Sequence, residues 1–129
     1  MSGFTDYLED ALLKHVFTNT AYTSPTTVYA ALFTVAPSDT GGGTEVSGGA
    51  YARQSMAFSV SGTGTLATNS AAVEYPTATA DYGTVVAVGI FDAATSGNLL
   101  AYANLTTSKT VSSGDVFRFN AGDVDITLT

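Results

Sequence analysis

Cysteine and tryptophan are absent from this 129-residue chain, histidine occurs once, and Lys14, Arg53, Lys109 and Arg118 are the only permanent cations. Each shortage removes a class of function. Without cysteine there is no disulfide, thiolate metal site or thiol nucleophile. With His15 as the single imidazole, a nucleophile–histidine–acid relay has one helical residue to pass through, and no Gly-x-Ser-x-Gly elbow accompanies it. Four scattered cations in a chain of formal charge −7 cannot build the basic track that phosphate neutralisation needs, so nucleic acid is not an expected partner. No apolar run approaches the ~20 residues of a membrane-spanning helix, so no membrane partner is expected either. The opening segment MSGFTDYLEDALLKHVF lacks a basic region followed by an apolar block and does not read as a signal peptide. Charged residues reach only 12% of the chain, against ~25% in ordinary soluble domains.

Hydroxyls take the place of charge. Serine and threonine make up about a quarter of the sequence, a composition that suits β-sheet faces and assembly contacts. The length fits one domain, 1–129, with a core large enough to hold without staples. Within it, 1–20 carries an N-terminal helix and 21–129 a β domain with a long loop at 37–50. The helix is predicted over Thr5–Phe17. Phe4, Leu8, Leu12 and His15/Val16 form an apolar stripe, Ser2 or Thr5 can cap the start, and Asp10 and Lys14 form an i,i+4 pair. That helix packs across an open sheet or extends to a neighbouring subunit.

Beyond Pro25 the pattern becomes short β runs punctuated by turn residues. Strands are predicted near Thr27–Val35, Tyr51–Val60, Leu66–Tyr75, Thr84–Phe91, Leu99–Leu105, Asp115–Phe119 and Val124–Leu128. Breaks fall at Gly62-Thr63-Gly64, Pro76, Asp81-Tyr82-Gly83, Asp92–Asn98, Ser112-Ser113-Gly114 and Ala121-Gly122. The expected fold is therefore mainly β: an antiparallel β-sandwich or barrel-like domain of about seven to eight strands with one N-terminal helix. The segment Tyr29–Ser55 reads as strand, turn at Pro37-Ser38-Asp39, glycine-rich loop and strand. Its Gly41-Gly42-Gly43 precedes Thr44-Glu45 rather than the Lys-Ser/Thr of a phosphate loop. The loop reads instead as an exposed arm suited to reaching a neighbour.

No set of residues assembles an active site, and the chain is not expected to be an enzyme or to hold a cofactor. Asp123 and Asp125 share a strand face about 7 Å apart, a spacing open to calcium or glycosidase-like chemistry. The plainer reading is a solvated strand face. Glu45, Glu74, Asp81, Asp92 and Asp115 read as single acids at turns, and Asp39 as the organiser of its own turn. Arg53 and Arg118 interrupt hydrophobic strands, either as intersubunit contacts or as cross-strand partners of an acid such as Glu74. The candidate assembly contacts are Phe4, Tyr7, Leu8, Asp39, Glu45, Arg53 and Arg118.

Several ordered stretches resemble one family: Phe4–Glu9 with Leu12–Phe17, Val28–Thr34 through Pro37–Asp39, and Gly41–Gly49 with Tyr51–Gln54. Tyr75–Thr84, Gly89–Ala93, Leu105–Lys109 and the Ser-Gly-Asp-x-Phe segment before Gly122 continue it. The whole chain resembles short virion proteins of tailed bacteriophages and prophages, often labelled tail-fibre proteins. The resemblance implies a structural virion component made in the cytoplasm of the bacterial host. Its leading form is a capsid cement or decoration protein, on the capsid exterior, stabilising the shell through a homotrimer. The alternative is a tail or tail-fibre component, an adaptor or a host-surface-binding module. Implied partners are the chain itself and the major capsid protein or a tail protein, and no catalytic residues carry over.

Overall fold

The computed structural model describes residues 2–62 and 64–127. Expected residues Thr63, in the second turn, and Leu128, in the last strand, lie outside them. A short strand β1 (Ser2–Phe4) leads into helix α1 (Asp6–Phe17). Ten strands follow: β2 (Tyr29–Val35), β3 (Thr44–Glu45), β4 (Gln54–Ser55), β5 (Phe58–Val60), β6 (Leu66–Asn69), β7 (Val73–Glu74), β8 (Gly83–Phe91), β9 (Leu99–Val111), β10 (Arg118–Phe119) and β11 (Asp125–Thr127). All pairings are antiparallel. One large sheet runs β1-β9-β8-β2-β3, with β4 further along the same edge of β2. Facing it are β11-β6-β5 and β10-β7. The mainly β, layered class expected from the turn spacing is the observed one.

The boundaries differ in instructive ways. The predicted Tyr51–Val60 and Leu66–Tyr75 strands each split in two, and Asp115–Phe119 shrinks to Arg118–Phe119. The predicted Leu99–Leu105 strand runs on to Val111 through the exposed, polar Thr106–Thr110 stretch, and its end, Lys109–Val111, pairs with Gly83–Val85. Threonine favours extended backbone, but a run with no apolar alternation gives no periodic sign of it. Two short strands, β1 and β3, were not expected for the same reason: two or three residues cannot display a period.

Alternation sorts β2 into two faces. Ala30 and Leu32 enter the main core with Val88 and Ile90 of β8, Ala101 of β9, and Tyr75, Phe117, Phe119 and Val124 from the opposite layer. Ala31 and Phe33 point the other way and form a second cluster with Ala87, packed by Val86 and Phe91. A register shift between Val85 and Ala87 accompanies the change of face, Val85 in the main core and Ala87 on the outer face; extra residues in one strand of a pair bend and twist it in this way. Gly89 provides the floor of the outer cluster, because a Cβ there would stand 2.6 Å from the Phe33 ring.

The smaller layer is a bent ribbon, and Asn69 holds the bend. Its side chain lies where β6 and β11 part before β7 and β10 resume pairing. Asn69 Nδ2 donates to the carbonyls of Ala71 and Asn120 at 3.0 and 2.9 Å, and Oδ1 accepts from Val124 N at 2.8 Å. The amide side chain thus acts as an extra peptide group, completing a ladder that the backbone cannot. At 1% exposure no water can replace it, and a buried unmatched donor or acceptor costs about 1–3 kcal/mol.

Replacing Asn69 with Ala should therefore lower stability by about 3 kcal/mol. Asn104→Ala, at an exposed position of β9, should change it by less than about 0.5 kcal/mol. Urea denaturation of both variants checks this, and equal midpoints would refute the role given to Asn69.

Candidate functional site

Two places concentrate unusual features: a polar knot at the β2 edge and the projecting helix beside it in sequence. The knot arises because β2 is longer than β3 and β4, the two strands that share this edge. Phe33–Val35 pairs with Thr44–Glu45, Tyr29–Ala30 pairs with Gln54–Ser55, and between them the N–H of Leu32 has no strand partner. Tyr51 supplies one. Leu32 N donates to Tyr51 Oη at 2.9 Å, and the phenol donates to Glu45 Oε2 at 2.7 Å. Arg53 then grips the same carboxylate with both prongs, Nε to Oε2 and Nη2 to Oε1, each at 2.9 Å. Its remaining Nη1 donates to the carbonyls of Ala93 and Ser96 at 3.0 and 2.8 Å. The guanidinium carbon lies 3.6 Å from the centre of the Phe91 ring, which itself stacks on Phe33.

Electrostatics follows from this arrangement. Burial pushes the Glu45 carboxyl upward, but hydrogen bonds from Arg53 and Tyr51 and the Arg53 charge outweigh it, and Glu45 ends below its ordinary value. Burial, then the bond to Glu45, drives the Tyr51 phenol far up. Hydrogen bonding to Glu45 raises Arg53 against the opposing effect of burial. All three groups are held in the states that bind one another, so the knot is a structural staple with no group poised for proton transfer.

The other expected contacts are dispersed. Arg118 is exposed and faces Glu74 at 3.5 Å across β10 and β7, with Nε on Asn120 Oδ1. The acid expected to serve either arginine thus serves Arg118, while Arg53 takes Glu45. The Asp39 carboxylate accepts from Tyr102 Oη of β9 at 2.6 Å, and its carbonyl accepts from Asp6 N at the start of α1. The Pro37 turn is instead closed by Ser38, whose backbone N–H and C=O pair with Gly41. Asp39 therefore clips that turn to helix and sheet rather than organising it. Nor is the 37–50 segment a free arm. Thr44–Glu45 joins the sheet, Val46 is buried, and Gly49 at φ +61° lies so close to Ala80 that a Cβ would meet its carbonyl at 2.7 Å.

Among the described residues no group of three or more His, Asp and Glu side chains lies close enough to hold a metal. Asp123 accepts from Asn120 N and so shapes its own turn, and Asp92 binds Asn98 N and Nδ2. His15 Nδ1 accepts from Tyr22 N at 3.1 Å, pinning the chain that leaves α1. Within α1, Thr5 is the N-cap and Asp10–Lys14 pair at 2.9 Å. The buried Thr5 hydroxyl donates to the Leu99 carbonyl at 2.6 Å and roots the helix on β9. No helix residue is buried. Phe4 and Leu8 are half-buried, Tyr7 is exposed, and Leu13, Val16 and Phe17 stand open at 59%, 66% and 78%. The apolar stripe read from the sequence exists, with Leu12 half-buried beside Phe4, but Val16 at its far end and the neighbouring Leu13 and Phe17 lie exposed.

A protein-family model described as podophage GP4 fiber I protein gp80 matches residues 3–127. No curated protein matches the chain.

Because native Glu45 titrates below its unfolded value, the stability it contributes is complete above the ordinary glutamate range, ~4.3. That contribution is lost as pH falls through the lowered native value. Urea titrations from neutral to acid pH should show Glu45→Gln less stable at neutrality and declining less steeply in acid. Parallel curves would contradict the assignment. Arg53→Ala, which strands the Glu45 carboxylate and two carbonyls, should cost the isolated protomer about 2–4 kcal/mol. An unchanged melting curve would return Arg53 to the surface.

Proposed function

The chain belongs to the podophage GP4 fiber I protein gp80 family, and from that premise we propose that it is a non-enzymatic building block of a short tail fibre, working as a self-associating subunit. Membership makes it a structural protein associated with the virion of a tailed phage. The tail assignment rests on the family's description as a fiber. What supports a docking role is the projecting α1, whose apolar end lies exposed among the described residues. A 12-residue helix is marginal in water by itself, so an uncovered apolar face on a rooted helix points to a partner that completes it.

The domain is suited to such a role. Its core is filled by aromatic packing, Tyr75 against Phe117 and Phe119 at 5.8 and 6.2 Å, and its loops are held by carboxylate–backbone bonds rather than left free. Such a body transmits load between neighbours without itself rearranging. The partners proposed are further copies, as a closed homotrimer, and a second tail protein. The formal charge of −7 keeps free subunits apart in solution and leaves apolar contact as the attractive term in assembly.

A capsid cement trimer makes the same demand for self-association, but nothing in the geometry favours a shell lattice over a fibre. Imaging of purified virions, together with quantitative mass spectrometry of copy number, separates the two. Density confined to the tail region, at low copy number, is the expected result. Density over the capsid faces in shell-like numbers would overturn the fibre reading in favour of cement.

A further inference from the structure

The two β layers do not close along their whole length. Near Phe4 they part, leaving an open apolar groove of about 800 Å³ between Ile90 and Leu100 of the large sheet and Phe58, Val60 and Ile126 of the small one. Phe4 and Leu8 form one wall, and no charged side chain lines it. The groove is an unfinished piece of core: its walls are the inward faces of strands that elsewhere meet in the packed interior.

The same chain carries an apolar projection with no seat. Leu13, Val16 and Phe17 lie on one side of the last turns of α1, together with Leu12 beside Phe4. That end cannot fold back into its own groove. Phe17 lies about 13 Å along the helix axis from Leu8, the last helical residue to line it. The helix end is also braced: Thr18 N and Thr20 N donate to the Lys14 carbonyl, and Tyr22 N to His15. Charge permits a second copy as the occupant. Among the acids of α1, Asp6 sits at its start, Glu9 borders the patch and Asp10 is neutralised by Lys14, whereas Leu13–Phe17 carries no acid. The projecting end thus brings no acid of its own against a second, acidic copy of this chain.

We infer that the Leu13–Val16–Phe17 end of α1 docks into the groove between the two layers of a neighbouring copy. The projection fills with apolar side chains the core space that each protomer leaves open. It is a heterologous contact, helix to groove, so every copy gives one helix and receives one, and the chain of contacts closes when the rotation between copies returns to the first. This deepens the self-association reading above and rests on it.

The cysteine-free chain makes the contact directly testable. Phe17→Cys and Val60→Cys are prepared as separate proteins, mixed and oxidised. A mixed disulfide dimer is expected, with none when Thr84→Cys replaces Val60→Cys. Phe17→Asp, at an exposed site that leaves the fold unchanged by circular dichroism, should weaken association at least about tenfold in sedimentation experiments. If the unmodified protein stays monomeric at every concentration, self-association fails and this contact with it. If it is oligomeric but Phe17→Asp has no effect and the 17–60 bond does not form, self-association stands and this contact is overturned. Protection of Val60→Cys from maleimide in assembled virions, without a 17–60 bond, gives the groove to a different virion protein and also overturns it.

Discussion

The bidentate grip of Arg53 on Glu45, with Tyr51 bonded between that carboxylate and the β2 backbone, is the constraint on which the large sheet depends. β2 lies between β8 and a broken edge made of two short strands. Two-residue strands have little pairing energy of their own, and an opened edge exposes β2 backbone to wrong partners. The knot joins them from the side. Glu45 is in β3, Arg53 directly precedes β4, and the Tyr51 hydroxyl takes the one N–H that falls between. Because Arg53 also holds the Ala93 and Ser96 carbonyls and covers Phe91, the same contact locks the β8–β9 loop and shields the outer aromatic cluster from water.

A second polar device closes the other layer by the same logic. Asn69 replaces missing ladder bonds with a side-chain amide, as Tyr51 does with a phenol. Both sit where backbone pairing is interrupted and both are satisfied on each atom used, so low dielectric strengthens them. These devices let the small layer bend around the aromatic core while the large sheet stays extended. The bend also has a consequence at the open end: the layers that meet over Tyr75 and Phe117 diverge toward Phe4, and the groove is what their divergence leaves. Rigid closure at one end and incompleteness at the other belong to one architecture, well matched to a subunit that is finished by its neighbour in the proposed assembly.

Much of this was legible in the residues. Turn chemistry at Pro37, Asp81–Gly83, Ser112–Gly114 and Ala121–Gly122 marks where the strands end, and β2 and β8 follow from apolar runs of strand length. Thr5, Asp10 and Lys14 announce the helix cap and its ion pair. Less legible were elements whose identity is only relational. Ser2–Phe4 is a strand because β9 lies beside it, and the polar end of β9 is one because Gly83–Val85 offers a ladder to Lys109–Val111. In the sequence Asn69 is one polar residue in a run of small ones; only a buried gap in the ladder reveals its work. The groove has no sequence signal, since its lining residues come from segments that also fill ordinary core.

By itself the sequence determined the class of molecule: a β domain with one amphipathic helix, hydroxyl-rich and acidic, without cysteine and without a phosphate-loop motif. It also carried the ordered motifs of a phage virion family. Those properties are local, written in composition, period and turn residues, and they survive without knowledge of what meets what. The tertiary structure decided which arginine belongs to which acid, turning Arg53 inward to Glu45 and leaving Arg118 outside with Glu74. It decided, too, that the helix's far end lies exposed while the layers leave a groove open at the helix's start. The reason is that periodicity reports that a face is apolar, whereas coverage of that face depends on segments distant in the chain arriving at it, and among the described residues none covers Leu13, Val16 and Phe17.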